Sequence, residues 1–356
     1  MSRQYTVLIS CLWATSVFEQ GRLIAKLLRE HGANVEMRKY ISIFDIMNHS
    51  ADAYLWLLVI NPTWLTDVVP AYIEAKQATG GKAYIYSTVE GIPYPHITKV
   101  HCCRYAEYVA NSNFTKRCLE KAGLKVIDVI HHAVDFTEVE QAKKIAQYLR
   151  QKIKRDFPGR VVFCYVGRDD HRKQLDKLMQ AIDIVNEKAK DKLVLLLHTE
   201  LRRPKLFERP NVYIVSKFGE LTHVKVLALM HASDYFVFPS VCEGFGVPVL
   251  EAMAVGRPVI HCWFEPLSEF SNREYNIVFD YLDVEYWKTS AEQYFEMHMY
   301  EPEQLADAIL YAIDIYTNYK SEYEERCTKL TEWAKKWNYR NIYSKWLHKL
   351  GVAKHE

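Results

Sequence analysis

Between Phe238 and Ile260 two carboxylates, Glu243 and Glu251, stand eight positions apart around a Gly244-Phe245-Gly246 turn and a proline, Pro248. The glycines let the backbone approach a ligand and expose its N–H groups. Pro248 suits the start of a helix, where a missing N–H costs nothing. A helix start favours negative charge through its unpaired amides and its dipole, so a diphosphate fits there. Two acids beside an anion site have a chemical use if they bind hydroxyls, because an ionised carboxylate accepts two hydrogen bonds from vicinal hydroxyls of a ribose or a hexose. Read singly, either acid would be an ordinary helix N-terminal residue compensating the dipole.

The elements that must position this segment alternate between strand and helix. Thr6 to Ser10, Asn34 to Arg38, Tyr54 to Ile60, Lys82 to Ser87 and Glu107 to Asn111 read as strands, with helical stretches at Phe18 to His31 and Thr66 to Ala78. Such alternation predicts a parallel sheet covered by helices. The second half repeats the grammar, with strands at Val161 to Val166, Leu193 to His198, Asn211 to Val215, Tyr235 to Pro239 and Pro258 to His261, and a helix at Leu175 to Lys188. Thr137 to Asp156 is charged and helical in period, and Phe157-Pro158-Gly159 breaks it. The expected division is residues 1–157 as a Rossmann-like acceptor-binding domain, with a linker at 137–157, and 158–356 as a Rossmann-like donor-binding domain. The last helices, 322–350, are expected to pass back onto the first domain. Ligands of open parallel sheets sit beyond the carboxyl ends of the strands, so two doubly wound halves place a site in the cleft between them.

A chain of 356 residues with 49% apolar and 25% charged residues can bury two cores. A net charge of +2 gives no reason to expect a nucleic-acid partner. The eight cysteines show no CxxC pairing, and they read as reduced thiols in a cytoplasmic protein. The longest apolar run, Tyr54 to Ile60, is too short for a membrane span, and Met1 to Ser10 lacks an apolar targeting core.

The string Glu243-Gly244-Phe245-Gly246, with Glu251 completing a Glu-x7-Glu element, resembles the retaining GT-B glycosyltransferases of family 4, the glycosyl transferases group 1. Tyr165-Val166-Gly167-Arg168-Asp169-Asp170-His171-Arg172-Lys173 is similar to that family's Gly-Arg, loop, Lys element. Weaker matches are Tyr108 to Thr115, Ile130-His131-His132-Ala133-Val134-Asp135 and Lys217-Phe218-Gly219-Glu220-Leu221. The resemblance implies an α/β GT-B fold and transfer of a hexose from a nucleotide-sugar donor, a UDP- or GDP-sugar, to an acceptor hydroxyl with retention. It implies that Glu243 and the Phe245 and Gly246 backbone hold the sugar and that Glu251 binds ribose. Gly244 would let the backbone approach the donor, Val247 would lie against the phosphates, Phe218 would lie in the loop that cradles the base, and Arg168 and Lys173 would neutralise the departing diphosphate. Taken alone, Arg168 and Lys173 would be a solvated turn.

Two departures from the family pattern bear on the acceptor. Trp13-Ala14-Thr15-Ser16 replaces the usual Gly-Gly pair, and Glu90 stands about where relatives carry a histidine. Glu90 would orient the acceptor hydroxyl or the donor sugar, or else cap the next segment. A non-catalytic sugar-nucleotide-binding protein of GT-B fold and a nucleotide-sugar epimerase stand as alternatives. His131-His132 and His101-Cys102-Cys103 lack the spacing of a zinc set, and no metal or other cofactor is expected. The acceptor, a saccharide, lipid or protein, is not legible. The basic, apolar-striped segment Arg22 to Arg29, with Leu23, Ile24, Leu27 and Leu28, reads either as core packing or as a peripheral contact at the inner membrane surface.

Overall fold

A computed structural model describes residues 4–11, 15–48 and 51–352. Trp13 and Ala14, at the Gly-Gly position, lie outside the described residues, as does the side chain of Thr15.

The first half contributes strands β1 (Thr6–Cys11), β2 (Asn34–Arg38), β3 (Ala53–Val59), β4 (Ala83–Thr88), β5 (Gly91–Pro93), β6 (Glu107–Ala110) and β7 (Lys125–Val129). All but β5 form a parallel sheet in the order β2-β1-β3-β4-β6-β7. The second half contributes β8 (Val161–Val166), β9 (Leu193–Thr199), β10 (Val212–Lys217), β11 (Tyr235–Phe238), β12 (Val259–Cys262) and β13 (Ile277–Phe279), in the order β10-β9-β8-β11-β12-β13, also parallel. Central strands such as β8 and β9 are buried along their whole length. That is what helices on both faces of a parallel sheet require, and it explains runs such as Leu193-Val194-Leu195-Leu196-Leu197.

Leu23, Ile24, Leu27 and Leu28 are buried, and they pack in one core with Val7, Ile9 and Leu55 of the first sheet. The helix Thr15–Glu30 therefore spends the stripe Leu23, Ile24, Leu27 and Leu28 on the core. No helix among the described residues is long and apolar enough to cross one.

The last helices, expected over 322–350, divide into three. A helix Lys320–Ala334 is followed by a 3-10 turn and two short helices, Tyr339–Ile342 and Ser344–Lys349. The break falls at Asn338, an extended residue whose side chain accepts from the Arg340 N–H. There the chain crosses back beside Val134, which donates its N–H to Trp337 and accepts from Tyr339. The outgoing helix Phe136–Asp156 begins at the same point, so both crossings between the halves run together. Tyr339, Tyr343, Trp346 and Leu350 are buried in the core of the first half, and Trp346 meets the Tyr84 and Tyr86 rings edge-on at 5.8 and 5.3 Å. Trp346→Ala is expected to lower unfolding stability by about 3–5 kcal/mol through the cavity it leaves, measured by urea titration.

Candidate active site

The second sheet reverses its strand order between β8 and β11, and the loops leaving those neighbouring strands open a crevice at their carboxyl ends. After β8 come Gly167 and Arg168, then a 3-10 turn His171–Lys173 closed by Gln174 in the left-handed region (φ 49°). After β11 come Pro239, Ser240 and the Glu243-Gly244-Phe245-Gly246 turn, which enters the helix Val247–Ala254. The two loops are bonded to each other, since the Arg172 carbonyl accepts from the Val241 N–H at 3.0 Å.

Four charged side chains meet between them. Lys173 is ion-paired with Glu243. Arg172 reaches Glu243 at 3.1 Å and Glu90, from the first half, at 2.5 Å. Ser240 Oγ donates to Glu243 at 2.6 Å. Burial works against the Glu243 carboxylate, but Lys173 and Arg172 outweigh it and hold its pKa below the ordinary range. Burial and the neighbouring Arg172 lower the pKa of Lys173. Burial raises that of Glu90, against the pull of Arg172. Glu243, Lys173 and Glu90 are thus brought together, with Arg172 as the missed fourth member. Arg168 is not brought in: it is exposed, with its guanidinium 5.9 Å from the centre of the half-buried Phe218 ring.

The turn itself lies against the first half. A Cβ on Gly244 would collide with Thr88 and sit 2.8 Å from the Val89 carbonyl oxygen, and Ser112 Oγ donates to the Gly244 carbonyl at 3.1 Å. Gly246 adopts φ 93°, the left-handed cap that starts the helix without a side-chain penalty. Val247, at the first helical position, is buried. Phe245 stacks on Phe270 at 4.6 Å and meets the His132 ring at 5.1 Å. His132 is buried and bonded to the Tyr86 hydroxyl (2.9 Å) and Asn111 Nδ2 (3.1 Å). Because the Tyr86 hydroxyl donates to Ile130, His132 Nδ1 carries the proton and Nε2 accepts from Asn111. Burial pushes its pKa down to about 3, so the ring is a neutral structural part. His131 instead meets Glu269 at 2.8 Å, a second-half carboxylate that also accepts from the Asn113 and Phe114 N–H groups at the start of a first-half helix.

Glu251 lies one turn into the helix Val247–Ala254, and its Oε1 meets His223 Nε2 at 2.7 Å. His223 Nδ1 meets Glu138 at 2.7 Å, and Glu138 meets Arg22 at 2.8 Å. Burial opposes the imidazolium, but Glu251 and Glu138 dominate and raise its pKa from 6.5 to about 10. A raised folded-state pKa means that this stabilisation is fully present below pH 6.5 and is lost as pH rises through about 10. The stability difference between the parent and His223→Gln is therefore expected to be widest at pH 6 and to shrink as pH rises towards 10.5, measured by denaturant titration across that range.

The sequence reading also missed a third sheet. Strands β14 (Asp283–Lys288) and β15 (Gln293–Met299) of the second half form a hairpin, and β15 pairs antiparallel with β5 of the first, Phe295 opposite Gly91. The hairpin tip is held at the carboxyl end of β3, where Thr63 N–H and Oγ1 donate to Glu292 at 2.9 and 2.6 Å and Gln293 Nε2 donates to Ile60. Arg117 spans the same boundary to Glu296 at 3.0 Å and Glu265 at 3.1 Å. Trp287 covers His171 at 4.8 Å, beside Arg172 and Lys173. A separate open groove lined by Tyr72, Lys76, Arg104, Tyr105 and Lys125 lies at the amino-terminal edge of the first sheet, where Glu107 and Lys125 begin β6 and β7. Lys76 and Lys125 are both paired with Glu107 there.

Among known proteins, this chain is 32% identical over 341 residues to the uncharacterized glycosyltransferase 335 of Sulfolobus islandicus rod-shaped virus 1, covering 94% of this chain and 97% of that one. The chain belongs to the glycosyltransferases. Residues 160–296, which contain the whole second-half cluster, match the family described as Glycosyl transferases group 1. The architecture of this glycosyltransferase is GT-B. A glycosyltransferase from Rickettsia africae superposes with a TM-score of 0.74 over 99% of this chain and 100% of that one at 17% identity. The Anabaena HepE structure in complex with UDP and glucose superposes with a TM-score of 0.66, covering 98% and 100%, at 13% identity.

Proposed function

We propose that this glycosyltransferase moves a hexose from a nucleoside diphosphate sugar to an acceptor hydroxyl with retention of anomeric configuration. The observation that carries the reading is the buried meeting of Lys173, Arg172 and Glu243 at the turn that opens the helix Val247–Ala254. The helix start and Lys173 supply positive potential for a diphosphate, and Glu243 supplies acceptor oxygens for sugar hydroxyls a few ångströms away. Gly244 and the Phe245 and Gly246 backbone let the sugar approach, Val247 lies beneath the phosphates, and Glu251 takes the ribose. Phe218 offers a ring face to the base, and Arg168, beside it on the exposed loop, closes on the diphosphate.

As the bond between the anomeric carbon and the β-phosphate oxygen breaks, negative charge grows on the diphosphate, where Lys173 and the helix amides are already oriented. The same phosphate oxygen removes the proton from the acceptor hydroxyl arriving on that face, so configuration is retained. Glu90 is engaged by Arg172 and serves to position rather than to take the proton. The cations that stabilise the leaving group are protein side chains, and the reading requires no metal. The HepE complex, which holds UDP and glucose on the same fold, supports a donor of this class.

The test is a thermal-shift screen with UDP-, GDP- and ADP-sugars, followed by product analysis with the stabilising donor. A ligand that binds only the folded state raises apparent stability. One donor class is expected to stabilise the protein and to be turned over, with the product's anomeric proton coupling matching that of the donor. Inverted configuration would overturn the retaining reading, and binding without donor consumption would overturn catalysis.

A further inference from the structure

We infer that His223 is a positioning residue for the donor: held as an imidazolium between Glu138 and Glu251, it sets the Glu251 carboxylate for the ribose hydroxyls. The inference rests on the reading of Glu251 as the ribose acceptor.

The geometry dictates the protonation. Both ring nitrogens of His223 face carboxylate oxygens at 2.7 Å, and carboxylates only accept. A neutral imidazole has a single donor, so both contacts are satisfied only when both nitrogens are protonated. The triad is largely enclosed, with side-chain exposures of 18% for His223, 9% for Glu251 and 14% for Glu138. Nothing local favours a cation there. His223 is the first residue of the helix His223–Ala232, the end where the backbone dipole disfavours positive charge. The two carboxylates, brought from the helices Phe136–Asp156 and Val247–Ala254, are what hold it.

Two consequences bear on the donor. The bond to His223 engages Glu251 Oε1 and leaves Oε2 outside it, so the side chain is fixed before any ligand arrives. Fixing a group in advance removes an ordering cost from binding. Glu251 also lies one turn from the helix start that would hold the diphosphate, and two anions so placed repel. His223 offsets that charge much as Lys173 and Arg172 offset Glu243, so each acid beside the anion site has its own cation. Arg22 of the first half, paired with Glu138, fixes the far end of the chain.

The experiment titrates whichever of UDP, GDP and ADP binds most tightly, together with its 2′-deoxy and 3′-deoxy analogues, to the intact protein. A hydrogen bond to a charged group makes the parent's preference for the ribonucleotide roughly 10-fold or more. His223→Gln is expected to bring that ratio down to about 3-fold or less, as the same bond is weakened; the lost imidazolium charge weakens diphosphate binding as well, inorganic pyrophosphate included, but that effect is common to the ribonucleotide and its deoxy analogues and cancels from the ratio. Glu138→Gln, nearly isosteric, is a second variant expected to shift the ratio in the same direction should His223→Gln fold poorly. Glu251→Gln reports on the underlying reading and should abolish the preference. A parent-like ratio in His223→Gln and Glu138→Gln, with the ratio lost in Glu251→Gln, overturns the positioning role and leaves the ribose assignment standing. A ratio retained in Glu251→Gln, no preference in the parent, or no binding of any of the three nucleotides overturns the ribose assignment and the inference with it.

Discussion

Lys173→Ala is expected to lower turnover by about 10²–10³-fold, the usual cost of removing one preorganised charge from a developing oxyanion. The variant should fold, because Glu243 keeps Arg172 at 3.1 Å and the Ser240 hydroxyl at 2.6 Å. Lys173 is committed to Glu243. An incoming diphosphate must share the ammonium with that carboxylate, so much of the gain from a full phosphate contact appears only as charge builds on the leaving group. For that reason the loss should fall on kcat more than on the donor KM. Steady-state kinetics with the donor found by the stability screen separates the two. A raised KM with unchanged kcat would assign Lys173 to uniform binding and return the transition-state role to Arg168, whose loop would then have to close from its exposed position over Phe218.

Most of the two parallel sheets could be read from the chain because their central strands are unbroken apolar runs. β3, β8 and β9 are buried on both faces almost throughout. The hairpin β14–β15 was invisible for the opposite reason. Asp283–Lys288 is exposed or half-exposed along its whole length and shows no core face, and β5, the strand that completes its sheet, has three residues. Its pairing joins Gly91 to Phe295, a separation that no local pattern encodes. The site shows the same division. Glu243, Gly244, Gly246 and Glu251 could be grouped as candidates from the chain because they fall within one turn and one helix. Arg172 was not, because its role comes from Glu90, which reaches it from the other half of the molecule. His223 carries no motif at all. Its one signal was a histidine at a helix start, where a cation is disfavoured unless acids are brought to it.

Glu243→Gln is expected to abolish transfer and also to destabilise the fold by about 3–5 kcal/mol, the cost of breaking a buried ion pair from one side. The substitution leaves Arg172 and Lys173, two largely enclosed cations, with Glu90 as their remaining carboxylate. Glu243 has a folded-state pKa held below its ordinary 4.5, so its contribution is present above that pH and fades as pH falls through the folded-state value. The stability gap between the parent and Glu243→Gln should therefore be widest near neutrality and narrow on acidification, measured by denaturant titration between pH 7 and pH 3. Adding Lys173→Met removes the orphaned ammonium while keeping its volume, and it is expected to recover much of the lost stability, because an apolar replacement of a buried pair is often close to neutral. The double variant should remain inactive. Stability regained without activity would show that the pair is kept for the chemistry at Gly244-Phe245-Gly246 rather than for the fold. Stability not regained would place the cost on Arg172, whose guanidinium would then be the cation the cleft cannot leave unpaired.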